Sequence, residues 1–188
     1  MSIEDHLRGD PDPVSPERVI RYWLREEGDG ATDDPPDPDA LETEPALRAE
    51  LFERAPIAKR AFTPDPADWY RVDLTEEALR DLRVVVGPHG EDWRALADDD
   101  RVESIAERVH GADDVAKLDA ETPKDVGEVV DLADAIADGA PKSRLVVLKD
   151  GEDPAYVVDG NHRAVAHVLD LLRGGEFESR VAYLGVRE

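Results

Sequence analysis

Apolar residues recur at helical spacing in the first third of the chain. Val19, Ile20, Trp23 and Leu24 fall on one helical face, and Ser15-Pro16-Glu17 ahead of them supplies an N-cap, a proline at the first helical position and an early acid. The spacing predicts one short helix after Ser15 and a second over residues 45–54, where Leu47, Leu51 and Phe52 are the apolar members. Between them, residues 28–39 carry Pro35, Pro36 and Pro38 among acids, with too little apolar content to pack, and are expected to form a mobile loop.

From Asp68 the texture changes to strand-like runs. Trp69 to Leu74 reads as a strand, Thr75 as the cap of a short helical turn through Leu79, and Leu82 to Val86 as a second strand. This change places a boundary near residue 65, between an acidic, partly mobile helical extension (1–65) and a domain (66–188). Trp93 and Leu96 open a further helical patch, and Val102, Ile105 and Val109 keep helical spacing up to Gly111. The stretch from Gly111 to Lys124, with Asp113-Asp114 and Thr122-Pro123, is expected to be a polar loop.

The last third has the clearest pattern. Val129, Leu132, Ala133 and Ile136 make a helical face that stops at Gly139, and residues 145–148 form an uninterrupted apolar strand. Asp150-Gly151 supplies a turn, lengthened by Glu152, Asp153 and Pro154, before a return strand at residues 156–158. A helix burying Val165, Val168, Leu169 and Leu172 ends at Gly174-Gly175 and leads to a strand over residues 180–186. No repeat recurs at fixed spacing.

Composition narrows the function classes. The chain has 188 residues, no cysteine, and a formal net charge of −23 from 23 basic and 46 acidic residues. Thiolate nucleophiles, disulfides and zinc–thiolate sites are excluded. The charge is spread along the chain, −9 over residues 1–65 and −14 over 66–188. An acidic binding tail or a nucleic-acid mimic would concentrate it, so the even spread, with five lysines against 18 arginines, reads as adaptation to a high-salt cytoplasm. No Lys/Arg stripe exists to displace counterions from a phosphate backbone, which argues against nonspecific nucleic-acid binding. No apolar run approaches the ~18 residues of a membrane span, and the acidic start at Met1 lacks the regions of a signal peptide, so a cytoplasmic protein without membrane association is expected.

The candidate chemistry centres on Tyr156-Val157-Val158-Asp159-Gly160-Asn161-His162-Arg163. A strand that breaks at Asp-Gly and restarts as a helix is how an anion site is built. Glycine lets backbone approach a ligand, the first helical turn leaves N–H groups unpaired at the positive end of the dipole, and Arg163 adds a planar charged fork. The same residues also fit a plain strand-to-helix turn capped by Asn161. Asp159 either orients His162, holds a Mg²⁺ water or caps the turn. His162 either meets a phosphate oxygen, serves as acid or base near neutral pH, or is a structural donor. His167 reads as a helix-surface donor. His6, His89 and His110 show no metal-ligand spacing, so no protein-held metal site is expected, and Gly87-Pro88-His89-Gly90 reads as a turn, not a phosphate loop.

The run from Leu132 to Gly139, then Leu145-Val146-Val147-Leu148, then Val157 to Arg163 with Ala166 in the following helix, resembles the ParB/sulfiredoxin superfamily over residues 126–186. The resemblance implies an α/β (α+β) fold, a small mixed sheet with flanking helices, preceded here by the N-terminal helical extension. It implies a nucleoside di- or triphosphate, with Mg²⁺, held by Gly160, Asn161, His162 and Arg163. Sulfiredoxins place a cysteine where this chain has Asn161, which excludes peroxiredoxin repair. Partition ParB proteins carry a Gly-Glu-Arg-Arg type box and a downstream helix-turn-helix domain, whereas this chain has Gly160-Asn161-His162-Arg163 and 25 residues after it.

The motif is most similar to that of archaeal free-serine kinases, with Asp-Gly-His-His-Arg after a like strand. It matches at Asp159, Gly160, His162 and Arg163 and departs at Asn161. Those kinases use a glutamate before the preceding helix as base toward the substrate hydroxyl. Glu121 lies in the analogous loop among unlike neighbours, where it reads either as that base or as one more solvated acid. The expected function is a small-molecule phosphotransferase acting on a hydroxylated acceptor, or a nucleotide hydrolase. A non-catalytic, nucleotide-responsive module that docks a protein partner is the alternative. A ParB-like nuclease ranks last, since neither a two-metal carboxylate cluster nor a basic groove is evident.

Overall fold

The computed structural model describes residues 7–29, 36–63, 65–85 and 91–188. His6, the middle of the expected loop over 28–39, Val86 and the Gly87-Pro88-His89-Gly90 turn lie outside the described residues.

A six-stranded mixed sheet forms the centre. Its strands are β1 (Asp12–Val14), β2 (Asp68–Leu74), β3 (Arg83–Val84), β4 (Leu145–Asp150), β5 (Tyr156–Asp159) and β6 (Arg180–Arg187), in the order β1-β2-β6-β4-β5-β3. The β6–β4 and β5–β3 pairs are parallel, and the others antiparallel. Alternate side chains of the central strands enter two different cores. Leu145, Val147, Val157, Ala182 and Leu184 face one side, and Val146, Leu148, Val158 and Tyr183 face the other. A strand buried on both faces needs apolar residues at every position, which is why 145–148 reads as an unbroken run.

The front face is covered by α4 (Glu76–Asp81), α5 (Glu91–Arg94), α6 (Val102–His110), α7 (Val115–Glu121), α8 (Val126–Ala137) and α9 (Asn161–Leu172). The back face is covered by α1 (Pro16–Asp29), α2 (Glu44–Arg54) and α3 (Lys59–Phe62). Val19, Ile20, Trp23 and Leu24 of α1, with Leu47 and Leu51 of α2, share one core with Val146, Leu148 and Val158. Phe62 stacks on Trp69 at 5.2 Å between centroids. Residue 65 therefore falls where the chain leaves the back layer for the sheet, and β1 from the same N-terminal segment pairs with β2. The N-terminal helices are a structural layer of the sheet, not an appendage beside it.

Three expectations are corrected. The stretch 111–124 is not all loop, because α7 forms inside it. Asp114 accepts a hydrogen bond from Lys117 N at 3.0 Å as N-cap, and Leu118 is buried in the front core. Seven residues with so few apolar members carry no readable period. The distal end of the expected loop over 28–39 is tied down, since Arg21 of α1 donates to the carbonyls of Pro38 and Leu41, the latter at 2.9 Å, across a 3-10 turn at Pro38–Ala40. Among the described residues, the strand expected over 82–86 forms only at β3, two residues paired with β5. Among the described residues, no helix is long and apolar enough to cross a membrane.

Candidate functional site

The β5–α9 turn is built around a glycine that no other residue replaces easily. Gly160 has φ +92 and ψ 27, and a Cβ placed there would lie 2.8 Å from Leu145 Cδ2 and 3.1 Å from Arg163 Nε. The first intrahelical bond of α9 runs from Ala164 N to Gly160 O at 2.8 Å. The amides of Asn161, His162 and Arg163 therefore precede the helical ladder, at the end of the dipole that attracts anions. Asn161 does not cap the helix. Its Oδ1 accepts from Val85 N at 3.0 Å, so the side chain fastens the turn to the end of β3.

Arg163 turns back beneath Gly160. Its Nη2 donates to Asp159 Oδ2 at 2.6 Å, and its Nη1 donates to Glu26 Oε2 of α1. Burial works against the guanidinium charge, but Asp159, Tyr22 and Glu26 outweigh it and raise the Arg163 pKa. Asp159 is pushed up to about 6. Burial is the main cause, Glu27 and Glu26 add to it, and Arg163 opposes it. The two shifts look contradictory for one ion pair. Sharing resolves them, because Arg163 has two carboxylates while Asp159 is buried beside other acids.

His162 points to a different wall. Its ring lies 4.9 Å from that of Trp93, itself 2 % exposed, and Lys124 Nζ stands 5.1 Å from the same indole. Nε2 of His162 is enclosed, has no hydrogen-bond partner, and lies 3.7 Å from Glu128 Oε2 at the start of α8. Burial lowers the His162 pKa, with Glu128 and Asp125 opposing and Lys124 assisting, which favours the neutral ring.

The sequence-derived residues thus separate. Asp159, Gly160, Asn161, His162 and Arg163 surround one turn, with Asp159 and Arg163 on the side of α1 and His162 on the side of α8. Glu121 stands apart at the end of α7. Its carboxylate is 59 % exposed and 3.8 Å from Lys117 Nζ, and no described hydrogen bond or ion pair links it to residues 159–163.

Two arginines near the turn escaped sequence reasoning. Arg144 precedes β4, with its guanidinium 5.4 Å from the Tyr22 ring centroid and 5.5 Å from that of Tyr183. Tyr22 donates its hydroxyl to Arg144 O at 2.9 Å, and its pKa is pushed up to about 12 by burial and by Glu26. Arg180 opens β6 at 2 % exposure, and its Nε and Nη2 have no hydrogen-bond partner. Burial, with the charge of Arg163 assisting and Tyr22 and Glu26 opposing, lowers the Arg180 pKa to about 10. Neither Arg144 nor Arg180 makes an ion pair with a described residue. Both bring positive charge to a turn that also holds Asp159, Glu26 and Glu27. Each stands singly at a strand start, with no spacing that marks it in the sequence.

In comparisons with known proteins, no family model matches the chain, and neither a curated protein nor a solved structure matches it.

Proposed function

We propose that the protein binds a nucleoside di- or triphosphate at the β5–α9 turn, as a ParB/sulfiredoxin-like nucleotide-binding protein, and transfers or hydrolyses its terminal phosphoryl group. The observation that carries this reading is the glycine-opened start of α9 with Arg180 and Arg144, neither in an ion pair with a described residue, beside it. Amides and arginines are the groups that a phosphoryl-transfer site needs most, because such catalysis is chiefly positioning and charge stabilisation. The residues suit the ligand in charge, since the glycine at positive φ lets Leu145 and Arg163 pack directly under the helix start and Arg180 keeps two donor nitrogens without a hydrogen-bond partner. Mg²⁺ would arrive with the phosphates, neutralising charge on their oxygens, and the chain need supply few of its ligands. In this reading His162 takes a proton from a hydroxyl acceptor or water once its enclosed Nε2 is uncovered from the Glu128 side. Glu121 as base requires a rearrangement of α7.

Phosphate must compete with Glu26 for Arg163. This contact favours a second reading, a nucleotide-responsive module in which ligand binding releases α1 toward a protein partner without turnover.

Calorimetry and thermal shift with ATP, ADP, CTP and GTP, each with Mg²⁺ in molar KCl, test the binding. At ~100 times its dissociation constant a ligand stabilises the fold by ~2.7 kcal/mol. Stabilisation by one nucleotide, lost in Arg163→Ala and Arg180→Met, is expected. No shift with any nucleotide would overturn the reading, and binding without turnover over a panel of hydroxylated acceptors would select the module.

A further inference from the structure

The other ends of the same two helices enclose a cavity of about 710 Å³. α8 and α9 run side by side in the same direction, since Glu128 approaches His162 at their starts and Asp134 pairs with Arg173 near their ends. Their C-terminal turns, Asp134 to Ala137 and Asp170 to Gly175, line the cavity together with Lys142, Glu176, Glu178 and Ser179. Two helix C-termini bring two negative dipole ends to one space.

The charges on its wall do not cancel. Arg173 is taken by Asp134 at 2.7 Å, and Lys142 by Glu178 at 3.9 Å. Asp170 is left over. It is 6 % exposed, lines the cavity, and its carboxylate makes no hydrogen bond or ion pair with a described residue. The Gly175 backbone closes against it, so near that a Cβ there would lie 2.4 Å from Asp170 Oδ2. Glu176, on the exposed part of the wall, also lacks an ion pair with a described residue.

Asp170 presents its carboxylate to the cavity beside two helix C-termini with no protein partner, which favours a cationic ligand there. No group of three or more described acids or histidines is placed to hold a metal ion, and the cavity is of small-molecule size. No aromatic ring lines it, so the cage that holds a quaternary ammonium is missing. We propose that this cavity binds a linear primary diamine, one ammonium donating to Asp170 and the other reaching Glu176.

Calorimetry with putrescine, n-butylamine and choline on the full chain in molar KCl tests it. Molar salt screens acids beyond contact distance while leaving direct ammonium–carboxylate contacts inside the cavity effective. Saturable binding in the order putrescine, butylamine, choline is expected. Asp170→Asn should weaken putrescine at least tenfold, and Glu176→Gln should weaken putrescine several-fold while leaving butylamine unchanged. If Asp170→Asn fails to fold, the putrescine-to-butylamine ratio in Glu176→Gln decides. Absence of saturable amine binding, an Asp170→Asn affinity equal to wild type, or an unchanged ratio in Glu176→Gln overturns the proposal. Nucleotide titration of the same variants reads the β5–α9 turn separately, and Asp170→Asn should leave it unaltered.

Discussion

Glu26 of α1 and Arg163 of α9, separated by 137 positions in the sequence, form a direct ion pair that joins the back helical layer to the helix-opening turn. The guanidinium that the motif offers to an anion is thus held by a carboxylate from another layer, with Asp159 as its second partner. Any phosphate reaching Arg163 exchanges with Glu26.

Glu26→Gln should therefore strengthen nucleotide binding several-fold while weakening the fold. Both partners are 21 % exposed, and Arg163 keeps Asp159, so a loss of about 1 kcal/mol is expected, toward the lower end for a partly buried pair. Urea denaturation gives the stability change, and calorimetry gives the affinity. Equal affinity in both proteins would separate Glu26 from ligand binding.

Arg180 presents the opposite balance. A buried cation with two unpartnered donors costs stability, and replacing buried charged groups by apolar ones of similar volume is often neutral or stabilising by about 1–4 kcal/mol. Arg180→Met is expected to raise the urea midpoint and to lose nucleotide-induced stabilisation. A lower midpoint would mean that Arg180 contributes a favourable interaction to the ligand-free protein.

Asp159 gives a signature in pH. Its folded pKa of about 6 lies above the ordinary 3.8, so the folded state takes up the proton first, and the group's contribution to stability falls as pH rises from about 4 to about 6. Two units correspond to about 3 kcal/mol. Asp159→Asn removes this slope and keeps an acceptor for Arg163, so the variant should gain on wild type across that window, as read by melting temperature in buffers from pH 4 to 7.

His167 acts with the other sign. It is 0 % exposed, stacks on Phe177 at 5.5 Å, and has no hydrogen-bond partner for either ring nitrogen. Burial, aided by Arg180 and Lys142, depresses its pKa to about 3. Its contribution is complete above about pH 6.5 and is lost as pH falls toward 3, by about 2 kcal/mol at pH 5. His167→Leu leaves no partner unpaired and should resist acid better than wild type, with near-equal stability at pH 7. An acid transition identical to wild type would show that His167 does not govern it.

The elements that the sequence announces are those whose burial is written locally. β4 is visible because both faces are covered, so 145–148 are all apolar. α9 is visible because Gly160 and Gly174 bound a run of buried aliphatics. α7 is hidden because Leu118 is its one buried residue, and β1 because three residues gain strand form only by pairing with β2. The turn at Gly160 was legible in the same way, since backbone conformation is a local property. The partners of its side chains were not. Glu26 lies too far along the chain for any motif to link it to Arg163, and Arg180 is a lone arginine at the start of β6 with no pattern around it. The apolar face of α1 tells that the helix packs, but not that it packs on β4 and β5.

That packing sets an order of events during synthesis. Val19, Trp23 and Leu47 leave the ribosome about 100 to 165 residues before Val146, Val158 and Tyr183, which complete their core. The first third of the chain cannot finish folding as a nascent segment. It must wait with its apolar faces unsealed until the last quarter appears, and β2 likewise waits for β6, its long antiparallel neighbour. A chain built this way matures in one late, cooperative step, with the interval before it as its period of greatest exposure to misassociation.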